Sequence, residues 1–255
     1  MKSKQAMFLM LAALLMASVV ATSASADQFI KQVTNTDAME MMGQKQPATS
    51  DTSSIWLTDG KAAMQAGDGK VYVFVVEGSK LYAINHAHKT FAEMSTDMSE
   101  LTDDMSEEET EQAKAMKAMA EQMTSSMKVT VTPTEETKKI GSWNTAKYVM
   151  DVSAPMGNTK IEMWTTQDIE ADYTAFMSVA AGARAMMPGY NEVLDEMKKV
   201  KGITVYSVTE MSMMGSTFRS TLELIEAVEK DAPEGTFDIP EGYKKVDMME
   251  MAPGQ

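Results

Sequence analysis

The chain has 255 residues, of which 23 are basic and 37 acidic, with a formal net charge of -14, two histidines, 28 methionines and no cysteine. Disulfides, thiol catalysis and cysteine-ligated metals are thereby excluded, and the acidic balance argues against nucleic acid as a partner, because it repels phosphates. With 44% apolar residues, the chain can bury one core of ordinary size.

Lys2 and Lys4 precede an apolar run from Ala6 to Ala21, and Ala24-Ser25-Ala26 then supplies a small-residue cleavage signal. The pattern predicts a signal peptide over residues 1–26, cleaved after Ala26, and a periplasmic mature chain. The run falls short of the about 20 residues that a bilayer span requires. No later run reaches that length, so no transmembrane segment is expected in the mature chain. A monomer is expected.

Residues 27–54 are polar, with Gln-Pro and Ser/Thr clusters, and read as a flexible N-terminal arm. Ile55 to Leu57, Lys61 to Ala66, Lys70 to Val76, Lys80 to Asn85 and Thr90 to Met94 read as strands of an antiparallel meander. Short Gly-, Asp- and His-containing connectors separate them. An acidic helical insert is expected over 97–127, where Ser106 opens a capping box and Ala113, Met116, Met119, Ala120 and Met123 follow at helical spacing.

Further strands are expected at Lys128 to Thr132, Thr145 to Ser153, Thr159 to Trp164, Ile203 to Thr209 and Thr217 to Ile225. Between them, one apolar helical stripe runs from Tyr173 to Met187 and stops at Pro188. A second, Val193, Leu194, Met197 and Val200, stops at Gly202. Strands with segregated helices predict an α+β fold, as a single domain over 55–246 with a flexible tail over 247–255.

Five phrases occur in order: Ile55-Trp56-Leu57; Lys80 to Asn85 with Lys89-Thr90-Phe91; Lys139 to Tyr148; Glu162-Met163-Trp164; and Phe237 to Tyr243. Together they resemble the bacterial domain-of-unknown-function family 4412, over about Ile55 to Lys245. That family is similar in architecture to the periplasmic lipoprotein carriers. The resemblance implies a strongly curved antiparallel sheet, an open half-barrel with helices across its concave side, and an apolar cavity for acyl chains.

Methionine is the compositional anomaly, with 24 in the mature region against six leucines. Thioethers fill irregular apolar gaps, and they also adapt to varied apolar ligands. Three clusters, Met39 to Met42, Met211 to Met214 and Met248 to Met251, could offer soft ligands to cuprous ion. His86 and His88 share a turn, but two ligands do not make a zinc site. No nucleophile elbow, phosphate loop or dinucleotide fingerprint is present, so no enzyme and no cofactor are expected.

The resulting expectation is a non-catalytic carrier for a lipid or an acylated protein. Its ligand-binding residues would be Trp56, Tyr72, Phe74, Tyr82, Phe91, Tyr148, Met150, Met163 and Trp164, with Phe176 and Met177 from a covering helix. For each of these, plain core packing is the alternative. A cuprous-ion protein and an interaction module without a small ligand are the competing readings.

Overall fold

The computed structural model describes residues 27–41, 44–58, 60–66, 69–75, 80–95, 127–155, 157–169, 190–213 and 216–251. The expected signal peptide, the helical insert over 97–127 and the stripe carrying Phe176 and Met177 lie outside them, Met127 excepted.

The chain forms β1 (Gln28–Thr36), β2 (Met39–Met41), β3 (Gln44–Gln46), β4 (Thr49–Thr58), β5 (Lys61–Gln65), β6 (Lys70–Val75), β7 (Lys80–Asn85) and β8 (Thr90–Ser95). It continues with β9 (Lys128–Ile140), β10 (Trp143–Ala154), β11 (Gly157–Thr166), helix α1 (Tyr190–Met197), β12 (Ile203–Met213), β13 (Ser216–Glu229) and β14 (Lys244–Lys245). Twelve strands make one sheet in the order β14-β8-β7-β6-β5-β4-β1-β13-β12-β11-β10-β9, and β2 and β3 form a separate hairpin. All its pairs are antiparallel except β14 with β8. The sheet is open, with β14 and β9 at its ends.

Two meanders, β4 to β8 and β9 to β13, account for most of the sheet, and β1 joins them. It pairs with β4 on one side, Ile30 opposite Ile55, and with β13 on the other, Ile30 opposite Ala227. The segment expected as a loose arm therefore supplies the central strand. Its polar composition conceals a strand because Gln28, Ile30 and Gln32 alternate with Phe29, Lys31 and Val33, and only the first set is buried.

The expected α+β architecture is overturned. The described residues are nearly all strand, and no helix among them lies across a concave face. The one α-helix among the described residues has eight residues and packs against edge strand β9. The strands also run longer than their apolar cores suggested. β9 continues to Ile140 through exposed polar positions, which an edge strand tolerates because one side of its ladder faces solvent.

Side chains alternate between two faces, named here for Ile30 and Trp56. The Ile30 face holds the main core: Ile30, Ile55, Leu57 and Ala62 from one half share a cluster with Met150, Ile161, Met163 and Val205 from the other, and with Val193, Met197 and Val200 beside α1. The end of α1 is fixed by Gly202. Its φ of +87° suits glycine, and a Cβ there would stand 2.0 Å from the Thr166 carbonyl oxygen.

The C-terminal segment wraps the β8 edge. Phe237, Ile239 and Tyr243 pack on the Trp56 face against the cluster of Ala63, Val73 and Ile84. β14 then runs beside Thr90 and Phe91. Val246 and Met251 turn onto the Ile30 face against Ala83 and Ala92. The expected flexible tail thus begins with a 3-10 turn, Met248–Met251, whose last side chain is buried. Apolar Val246 and Met251 anchor what composition alone reads as an end.

Candidate ligand face

The described candidate residues do not line one surface. Register places Tyr72, Tyr148, Met150 and Met163 on the Ile30 face. Trp56, Tyr82 and Phe91 lie on the opposite face in the cluster that the C-terminal segment covers, and Trp164 lies on that face in register with Lys147 and Tyr206. Phe74 stands in register with Ala62 and Leu81. The sequence phrases mix the two faces because neighbours in a strand point oppositely. Met163 and Trp164 are adjacent in sequence and opposed in space.

On the Trp56 face the aromatic rings are capped by lysines. Lys138 Nζ lies 3.8 Å from the Trp164 ring centroid, and Lys230 Nζ lies 3.7 Å from that of Phe29, which packs 4.7 Å from Trp56. The ammonium groups sit over the ring faces, where the ring quadrupole attracts a cation. Lys147 pairs with Glu162 at 3.1 Å and Glu136 at 3.2 Å. Its pKa is raised, first by the Glu162 hydrogen bond, while Lys160 and then Lys147 lower that of Glu162.

The Ile30 face differs. β1 presents Gln28, Ile30, Gln32 and Thr34 toward it, three polar side chains of four. Gln32 is 2% exposed and Ser207 1% exposed, and neither Gln32 Oε1 nor Ser207 Oγ has a hydrogen-bond partner among the described residues. Gln32 stands opposite Leu224 and Ser207 opposite Leu222, so one strand, β13, separates them. Sequence reasoning missed both. The signal was the spacing of Gln28, Ile30, Gln32 and Thr34, readable only once residues 28–36 are taken as a strand.

His86 Nδ1 lies 2.9 Å from the Tyr243 hydroxyl, which ties the turn to the C-terminal segment. No group of three His, Asp or Glu among the described residues could hold a metal ion. The Thr90 hydroxyl donates to Met251 Sδ at 3.7 Å, which gives that methionine a packing role. Met39 lies on β2, which contacts β13 where Ser216 Oγ donates to the Glu40 carbonyl at 3.2 Å, and Met211 lies on β12 opposite Phe218 of β13. No helix among the described residues is long and apolar enough to cross a membrane.

No family model matches the chain, and no curated protein matches it.

Proposed function

We propose that the chain is an exported, non-catalytic binding protein that holds an apolar, acyl-bearing ligand against the Ile30 face of its sheet. The observation that supports this most is the reach of that face's apolar cluster, which draws Ile55 and Ala62 from one meander together with Val131 and Met163 from the other. Burial of an acyl chain there would contribute about 0.8 kcal/mol per methylene. Tyr72, Tyr148, Met150 and Met163 are the candidate contacts, and thioethers let the surface adapt to more than one chain. Export rests on the lysines, apolar run and small residues of the first 26 positions. Membership of family 4412 belongs to the same reading.

The test is mass spectrometry of protein purified without detergent from the cell envelope. A co-purified acyl lipid, displaced by a fluorescent apolar probe, is the expected result. Protein that carries no lipid and binds no such probe would overturn the reading.

A second reading, cuprous-ion binding, draws support from Met39 and Met211 lying on strands that both adjoin β13. Titration with cuprous ion under reducing conditions, before and after exchange of these methionines for leucine, separates it from the first.

A further inference from the structure

We propose that the ligand of the Ile30 face is a neutral amphiphile with a hydroxyl-bearing head, held by Gln32 on β1 and Ser207 on β12. The inference rests on the reading of that face as a binding surface and adds the chemistry of the head.

Buried polar atoms are almost always satisfied, because leaving one unpaired forfeits the hydrogen bond it made to water. Gln32 Oε1 and Ser207 Oγ break that rule on the same face of two strands, β1 and β12, that flank β13 near the middle of the sheet. With β13 between them and a two-residue offset along the strands, from Leu224 to Leu222, their backbones stand about 12 Å apart. A glutamine side chain covers part of that distance, so a small polar group above Leu222 and Leu224 can meet both. Ser53, opposite Gln32, and Thr209, one inward position beyond Ser207, are buried on the same face. The centre of an otherwise apolar surface is thus polar.

The identity of these groups constrains the head. Gln32 Oε1 only accepts, so the ligand must donate, while Ser207 Oγ can donate or accept. A hydroxyl satisfies both. A carboxylate or an ester offers acceptors alone and leaves Gln32 Oε1 unmet. No Asp, Glu, Lys or Arg is among the buried described residues, so an ionised head would be desolvated there without a counter-charge. The chain's charge of -14 further disfavours anions. A monoacylglycerol or a long-chain alcohol fits this description, and a fatty acid or an anionic phospholipid does not.

Three probes with one acyl chain, mono-oleoylglycerol, methyl oleate and oleate, should be titrated in competition with a fluorescent apolar dye. Mono-oleoylglycerol is expected to bind at least tenfold more tightly than the other two. Gln32→Leu should reduce that preference by about fivefold, the worth of one hydrogen bond, with affinity for methyl oleate unchanged. Ser207→Ala removes a donor that an ester can also use, so it should lower affinity for mono-oleoylglycerol by a similar factor, and thermal stability should hold or rise in both variants. Ser207→Ala removes a single atom and serves if Gln32→Leu fails to fold. Equal binding of all three probes, or a preference that survives both substitutions, overturns the head assignment and leaves the apolar reading standing. Failure of every probe to displace the dye overturns both.

Discussion

Glu196 Oε2 accepts the backbone N–H of Val131 at 2.7 Å, so a carboxylate on α1 completes the ladder of an edge strand. β9 ends the sheet, and its outward N–H groups have no strand to pair with. At Val131 the side chain is 4% exposed, and water has poor access to the adjacent backbone. The helix therefore does more than cover apolar surface. It supplies the acceptor that a further strand would have supplied, and it blocks that strand from docking.

Glu196→Leu is expected to lower stability by about 1–3 kcal/mol, the cost of leaving a buried donor unsatisfied. Glu196→Gln keeps an acceptor and should cost under about 1 kcal/mol. Urea unfolding of the two variants checks the ordering. Lys199 first, and the Val131 N–H second, hold the Glu196 carboxyl below its ordinary value of 4.5. The stabilisation from its charge is thus fully present above 4.5 and is lost as pH falls below it through the lowered folded value. The gap between wild type and Glu196→Gln should close on going from neutral pH to about pH 3. A gap that persists there would show that the charge is not its source.

Both meanders were legible in the sequence because β5 to β8 and β10 to β13 carry apolar or alternating runs between turn residues. Three parts were not. β1 sits at the centre of the sheet, yet its inward positions are Gln28, Ile30 and Gln32, so its composition is that of a loop. β9 lies at an edge and need bury only one inward row, which leaves Thr134 to Lys139 without an apolar signal. The candidate site failed for a third reason. Aromatic richness marks packing, and Trp56, Tyr82 and Phe91 are partly buried in the cluster that the protein's own C-terminal segment joins.

That segment leads to a second prediction. Removal of residues 237–255 should uncover Val73 and Ile84, 0% and 1% exposed in the intact fold, together with the β8 edge. An unpaired edge beside an apolar patch promotes pairing between chains. The truncated protein is expected to bind more apolar dye than the full chain and to self-associate in sedimentation, whereas the full chain does not self-associate at the same concentration. Met251→Ala should cost about 2–4 kcal/mol and Met251→Leu under about 1.5 kcal/mol, read by chemical denaturation.

Gly202 is the connector between α1 and β12 and tolerates no side chain. With φ at +87° and the Thr166 oxygen 2.0 Å from the place of a Cβ, alanine must bring both backbone strain and a steric clash. The strain alone costs about 1–3 kcal/mol. Gly202→Ala should therefore lower the unfolding midpoint by at least that amount. Gly235, also at positive φ but with open space around its Cβ position, should give a smaller loss when changed to alanine. Equal losses at the two sites would show that the close approach to Thr166 is not what sets the cost.

Trp164 and Lys138 test which term holds the Trp56 face together. The indole is 8% exposed, and the lysine lies over it at 3.8 Å. If burial dominates, Trp164→Ala costs about 3–5 kcal/mol, the range for large aromatic truncations in a core. Lys138→Ala then costs only about 0.5–1 kcal/mol, the worth of an exposed cation over a ring. Lys138→Met keeps the aliphatic cover and loses the charge, so it separates the two contributions of the lysine itself. Unfolding in low and high salt supplies the remaining check. A Lys138→Met loss that shrinks at high salt assigns the contact to charge, and a variant as stable as wild type at both salts assigns it to the stem.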